Sequence, residues 1–111
     1  MMLEIYKDNF IVSLSLFIML LFYFFKPKKI NSWYGYRTIN SMKNQANWDF
    51  AQGFCSKYLI IFLTFLLIIQ YPIYLLFNNY SRASFIITLL WFVILISVIL
   101  STENKLKKMN N

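Results

Sequence analysis

The segment from Lys28 to Thr38 has the most chemically versatile side chains of the chain. Arg37 carries a planar guanidinium, which can donate paired hydrogen bonds to a phosphate, a carboxylate or the carbonyl groups at a helix end. Gly35, between two tyrosines, indicates a turn or a close backbone approach that a side chain would block. Three amphipathic rings of the kind found at membrane–water interfaces accompany them: Trp33, Tyr34 and Tyr36. The segment is therefore either an interface anchor or a binding site, and composition does not separate the two.

Catalytic chemistry is a poor match for this chain. General acid–base and nucleophilic catalysis need a positioned base beside an acid or a nucleophile. The sequence has no histidine, and its four carboxylates offer no cluster of metal ligands: Glu4, Asp8, Asp49 and Glu103. It contains no HExxH or CxxC motif, and Cys55 is its single cysteine. We therefore expect no enzyme activity, no catalytic or metal-binding residues and no cofactor.

The composition is that of a membrane protein. Of the 111 residues, 59% are hydrophobic and 21% aromatic, which is more apolar surface than a soluble domain of this size can bury. The charge-free runs 9–25, 59–77 and 83–100 have the length that crosses about 30 Å of hydrocarbon as an α-helix. None of them alternates apolar with polar residues as a barrel strand does. The predicted fold is one all-α integral membrane domain over residues 1–111, with three transmembrane helices.

Basic residues are concentrated on one side of the predicted spans. The segment 26–57 and the tail 101–111 together carry nine lysines and arginines, whereas segments 1–8 and 78–82 carry two. The positive-inside rule then predicts a multi-pass protein of the bacterial cell membrane with its N-terminus outside and its C-terminus in the cytoplasm. We expect this basic face to attract anionic lipids. No helix resembles a reader of DNA grooves, so direct nucleic-acid binding is not expected.

The long inner segment has a helical pattern of its own. Its apolar residues recur every four positions: Met42, Ala46, Phe50 and Phe54. The pattern predicts an amphipathic helix of about 16 residues that starts from an N-cap at Ser41 and lies along the inner interface. We expect Gly53 to be the bend where this helix turns into the second span. Residues 28–40 before it are expected to form an ordered loop.

Two of the polar side chains inside the predicted spans are candidates for a contact between helices. Gln70 is near the outer end of the second span, and Thr88 lies at a similar depth in the third. An amide in hydrocarbon needs a hydrogen-bond partner. We therefore predict that Gln70 bonds across the hairpin formed by the second and third helices. Such a contact more often holds helices together than carries out a function.

The inner segment resembles a known family. The run Lys29-Ile30-Asn31-x-Trp33-Tyr34-Gly35-Tyr36-Arg37-Thr38, followed by Ser41-Met42-Lys43-Asn44 and Trp48, is similar to the signature of the SdpI family. The resemblance covers residues 27–54 by motif and the remainder by the layout of three spans. The residues carried over by motif are Asn31, Trp33, Gly35, Tyr36, Arg37, Thr38, Asn44 and Trp48. The resemblance implies that they either bind a partner or brace the helices from the inner side.

The founding member of that family is a small bacterial membrane protein that gives immunity to a secreted peptide toxin. The resemblance therefore implies a protein that protects the producing cell by binding a toxin in or at the membrane. In the founding system the protein also sequesters a soluble transcriptional regulator, so a signalling or scaffold role is an alternative. A holin-like pore is a further alternative, although a pore-former does not need the long inner segment. A homo-oligomer is compatible with each.

Overall fold

A computed structural model describes residues 6–7 and 9–110 of the chain. Its helices are α1 (Phe10–Phe24), α2 (Gln45–Phe77) and α3 (Tyr80–Met109), and the described residues contain no strand. The all-helical prediction is therefore confirmed. Most of the predicted outer tail 1–8, including Glu4 and Asp8, lies outside the described residues, as does Asn111 at the other terminus.

Two of the helices are long and apolar enough to cross a membrane. α2 and α3 meet both criteria among the described residues, and they contain the predicted spans 59–77 and 83–100 in full. α1 is a shorter apolar helix of 15 residues. It therefore rises about 22 Å, which is less than the roughly 30 Å of a hydrocarbon core.

The amphipathic segment and the second span form one continuous helix. α2 passes through Gly53 without interruption, so the predicted amphipathic helix and the second span are not separate elements. A glycine inside a helix costs only about 1 kcal/mol, which the packing of a long helix on either side outweighs. The predicted N-cap at Ser41 is wrong: the side-chain oxygen of Asn44 caps α2 by accepting a hydrogen bond from the Asn47 amide at 2.8 Å.

In the first turns of α2 the polar side chains, rather than the apolar ones, are the more deeply buried. Asn47 and Gln52 are buried, whereas Ala46 is exposed and Phe50 and Phe54 are only partly buried. The polar side chains turn inward because they hydrogen-bond to the preceding loop. The phenylalanines face outward, which is favourable for a helix surrounded by lipid rather than water.

Two adjacent asparagines make the turn between α2 and α3. Asn78 ends α2 in the left-handed conformation, at φ +48°, which asparagine tolerates better than most residues. The side chain of Asn79 then accepts a hydrogen bond from the Arg82 amide at 3.1 Å and starts α3. The helices are therefore antiparallel. We call this turn with the start of α1 the turn end, and the loop 25–44 with the last turns of α3 the loop end.

α2 lies at the centre of the bundle. Toward the turn end, Leu66 and Tyr74 of α2 pack with Val12 of α1 and with Ala83 and Ile87 of α3. Toward the loop end, a second cluster consists of Cys55, Leu59, Leu63 and Val98. α3 continues to Met109, so the predicted end of this helix at Ser101–Thr102 is wrong. The extension forms because Thr102 and Leu106 are fully buried, at 0% exposure, and because polar residues beyond the span bond to the loop.

Candidate functional site

The backbone at Gly35 and Tyr36 is held by the side chain of Gln52. The Tyr36 amide donates to Gln52 Oε1 at 2.8 Å, and Gln52 Nε2 donates back to the Tyr36 carbonyl at 2.8 Å. Gly35 has φ +106°, and a Cβ placed on it would lie 2.8 Å from Gln52 Oε1 and 2.8 Å from Pro27 Cγ. The prediction of a close approach at this glycine is therefore confirmed: glycine supplies both the backbone conformation and the space.

The Tyr36 side chain joins the loop to α3. Its hydroxyl donates to Glu103 Oε1 at 2.7 Å, and Asn40 Nδ2 donates to Glu103 Oε2 at 2.9 Å. Both oxygens of one carboxylate are thus engaged by the loop. This contact depends on the extension of α3 beyond residue 100, which the sequence interpretation treated as a free tail.

The pKa values at this junction favour the ionised carboxylate. Burial alone raises the pKa of Glu103, but hydrogen bonds from Thr38, Asn40 and Tyr36, together with the positive charge of Lys107, lower it overall. Burial, the hydrogen bond to Glu103 and the charge of Glu103 raise the pKa of Tyr36. At neutral pH the pair is therefore a neutral phenol donating to a carboxylate, which is a strong charge-assisted hydrogen bond.

Asn31 and Arg37 shape the loop locally. The Asn31 side-chain oxygen accepts from the amides of Trp33 at 3.1 Å and Tyr34 at 2.9 Å, which closes a turn of the kind asparagine favours. A guanidinium N–H of Arg37 donates to the Ser32 carbonyl. Of the kinds of partner that the sequence left open for Arg37, the structure shows a backbone carbonyl within the loop rather than one at a helix end.

Thr38 and Ser41 form a second small turn. The Thr38 amide donates to Ser41 Oγ at 2.8 Å, and the Ser41 amide donates to Thr38 Oγ1 at 3.2 Å. Ser41 Oγ also contacts the Tyr36 carbonyl at 3.2 Å. These reciprocal bonds fix the chain between the glycine turn and the start of α2.

The first turns of α2 fasten both ends of the loop. The indole N–H of Trp48, which is 0% exposed, donates to the Pro27 carbonyl at 2.8 Å. Asn47 Nδ2 donates to the Asn40 carbonyl at 2.8 Å and to Asn110 Oδ1 at 2.6 Å, so it also reaches the last residue described after α3. Most motif side chains are therefore used within the protein itself.

Two large side chains of the loop remain outside this network. Trp33 is 77% exposed and Ile39 is 85% exposed. Trp33 contacts Tyr34 edge to face, with ring centroids 5.3 Å apart. An indole and a branched aliphatic side chain on the surface indicate contact with a membrane interface or with another protein.

A separate polar cluster lies at the turn end. Asn9 Nδ2 donates to Thr88 Oγ1 at 3.2 Å, and the Tyr74 hydroxyl donates to Asn9 Oδ1 at 2.7 Å. Further along α1, the Trp91 indole donates to Ser15 Oγ at 3.1 Å. These bonds connect α1 with α2 and α3. Thr88 is therefore a helix-joining contact, but its partner is Asn9 rather than Gln70.

Gln70 has no such partner. It is 0% exposed and lies one helical turn from both Leu66 and Tyr74. Neither Gln70 Nε2 nor Gln70 Oε1 makes a hydrogen bond to any described residue. The prediction that this amide bonds across the α2–α3 hairpin is therefore wrong.

Several residues of the site were missed by the sequence interpretation: Asn9, Pro27, Asn40, Asn47, Gln52 and Glu103. The signal for Gln52 was present, since Asn44, Trp48 and Gln52 recur every four residues on one face of α2. No local signal links Tyr36 with Glu103, because 67 positions separate them along the chain.

Comparison with known proteins identifies the family. The sequence model of the SdpI/YfhL protein family matches residues 28–102, a range that contains the loop motif, α2 and most of α3. The chain belongs to the SdpI/YfhL family. No curated protein matches this chain at the threshold applied, and no solved structure does. Membership of this family and the two long apolar helices indicate a membrane protein. The family is not a known enzyme family.

Proposed function

We propose that this chain is a membrane immunity protein, which protects the producing bacterium by binding a secreted peptide or protein toxin in or at the membrane. The family match over residues 28–102 is the observation that carries this proposal. The resemblance to the founding member, which gives immunity to a secreted toxin, supplies the activity.

In this proposal α1 is the third span. Although α1 has only 15 residues, the exposed Phe25 after it extends its apolar surface, and local bilayer thinning accommodates a short helix. The loop end, with Lys57 of α2 beside it, then faces the cytoplasm with nine basic residues, and the turn end faces outward.

The loop end suits a brace better than a toxin site. Gly35, Tyr36, Asn44 and Trp48 all make contacts within the chain, and these contacts fix the ends of the three helices relative to each other. A toxin arriving from outside meets the turn end first. We therefore assign toxin contact to the turn end and helix alignment to the loop end.

Gln70 is the proposed toxin contact within the turn end. Its amide has both a donor and an acceptor without partners among the described residues, and a backbone peptide group of a toxin offers the complementary pair. Its neighbour Tyr74 belongs to the polar cluster that joins the helices. A toxin that separates α1 from the α2–α3 hairpin would expose this amide and bond to it.

The experiment expresses the chain in a sensitive strain and applies any small secreted peptide that a neighbouring gene encodes. Survival of expressing cells supports immunity, and killing equal to that of an empty vector contradicts it. The variant Gln70→Met should lose protection, whereas Ile68→Met, on the exposed surface of the same helix, should keep it. Protection by both variants would reject Gln70 as the contact and leave immunity standing. Depolarisation on expression without toxin would instead indicate a pore.

The exposed pair Trp33 and Ile39 favours a second candidate function, the docking of a soluble regulator on the cytoplasmic face. Affinity capture from solubilised membranes tests it with the double variant Trp33→Ser, Ile39→Ser, compared with the wild type. A soluble partner bound only by the wild type supports docking. If the wild type and the double variant capture the same soluble proteins, the two side chains do not dock a regulator and act as membrane anchors instead.

A further inference from the structure

An aromatic ladder runs along the outer surface of α2 toward the loop end. Its rings are spaced four residues apart, with successive centroids separated by 5.1, 4.6 and 6.3 Å: Phe50, Phe54, Tyr58 and Phe62. These side chains are partly or largely exposed. The ladder therefore presents a continuous apolar strip to the surroundings of the bundle.

The ladder forms one wall of a groove between α2 and α3, which we call the ladder groove. The opposite wall is a second strip with four-residue spacing: Ser97, Ser101 and Lys105. Val98 contributes to the base, and the groove encloses about 260 Å³. The groove thus has an apolar aromatic side, a side with two hydroxyls, and an ammonium group at its loop end.

Two ammonium groups lie beside the ladder, and one of them, Lys105, also lines the ladder groove. Lys105 Nζ lies 5.5 Å from the centroid of Phe54, and Lys57 Nζ lies 5.6 Å from that of Tyr58. Both cations therefore lie beside adjacent rings of the ladder. Glu103 does not occupy this end of the groove, because it bonds to Tyr36 and Asn40, and residues two apart on a helix point in different directions.

We propose that the ladder groove binds one anionic phospholipid of the cytoplasmic leaflet. One acyl chain lies along the rings, and the phosphate lies between Lys57 and Lys105, with Ser101 as a hydroxyl donor below it. From Lys105 to Ser97 the helix rises about 12 Å, which matches the roughly 15 Å depth of one leaflet. The positive charge of the two lysines selects an anionic headgroup over a neutral one.

Native mass spectrometry of the full chain tests this proposal. The protein is released from nanodiscs that contain equal amounts of phosphatidylglycerol and phosphatidylcholine, and the lipids retained on it are counted. We expect one retained phosphatidylglycerol per chain. Lys105→Gln should lower its retention roughly five-fold, because one lysine near a membrane surface contributes about that factor. Lys43→Gln removes the same charge from an exposed loop position and should leave retention unchanged.

A second pair of variants tests the acyl-chain part of the groove. Ser97→Phe fills the groove and should abolish retention, whereas Ile96→Phe adds the same ring on an exposed neighbouring position and should not. Equal retention of both lipids, or equal losses for Lys105→Gln and Lys43→Gln, would overturn the proposal. A wild-type dimer that Ser97→Phe dissociates would also overturn it, since the occupant would then be a second copy of the chain.

Discussion

Replacing Gln70 by methionine should stabilise the protein. The two side chains have similar length and shape, so the change removes the amide without leaving a large cavity. The amide is 0% exposed, and neither of its polar atoms bonds to any described residue. In the folded state it therefore lacks the hydrogen bonds that it makes to water or lipid headgroups when the helices separate.

The size of the effect follows from this missing pair of bonds. A buried polar group without a partner destabilises the folded state by about 1–3 kcal/mol. Polar contacts between membrane helices contribute less, about 0.6 kcal/mol on average, because helices that are apart in a membrane still find partners. We therefore expect Gln70→Met to raise the free energy of unfolding by about 1–2 kcal/mol.

Titration with a denaturing detergent in mixed micelles, followed by the loss of helix content, measures this free energy. Ile68→Met is the matched control, because residue 68 is largely exposed on the same helix and its change should have little effect. A Gln70→Met protein less stable than the wild type by about 1 kcal/mol or more would refute the reasoning, since the amide would then be bonded in the folded state.

Further substitutions test the loop end by the same titration. Gly35→Ala should destabilise the protein by about 1–3 kcal/mol, because φ is +106° and the new Cβ would contact Gln52 and Pro27; an unchanged midpoint would mean that the loop conformation differs. Trp48→Phe should cost about 1–3 kcal/mol, since it leaves the Pro27 carbonyl without its indole donor; full stability would contradict this bond. The pKa of Glu103 is lower in the folded protein than in the unfolded chain, where a carboxyl group has a pKa of about 4.3. The ionised carboxylate therefore stabilises the fold at pH values above about 4.3, and this stabilisation is lost as the pH falls through the folded pKa. Glu103→Gln should reduce this acid sensitivity, and an unaltered pH profile would exclude Glu103 as its source.

The sequence was sufficient to predict the elements that depend on long, uniform patterns. The apolar runs 59–77 and 83–100 lie inside α2 and α3, and the asparagine pair makes the turn between them. The glycine between two tyrosines indicated a close approach, which the contacts of Gly35 confirm. Each of these features follows from hydropathy or from backbone geometry. Such local properties can be read without knowing which residues meet from distant parts of the chain.

The errors share one physical cause, which is that long-range hydrogen bonds outweigh local patterns. The apolar stripe with Phe50 and Phe54 predicted a separate helix along the inner interface, but Asn47 and Gln52 of its polar face are buried because the loop supplies partners for their amides. α3 continues past Thr102 because Glu103 reaches Tyr36. Gln70 was expected to find a partner by the same rule and does not, because no described polar group lies within bonding reach of its amide.

Among the described residues, buried polar atoms without a partner occur toward both ends of the bundle, but both amide atoms of Gln70 lack one, whereas at the loop end only Asn110 Nδ2 does. At the loop end, the amide of Gln52 and the carboxylate of Glu103 each use both of their polar atoms, so separating the helices there breaks several bonds together. At the turn end, the buried amide of Gln70 gains hydrogen bonds when the helices separate. A partner that wedges the bundle open should therefore act at the turn end, with the loop end as the hinge. Under the proposed function, the family motif holds the closed, inner end, which would explain how it matters for a toxin that arrives from outside.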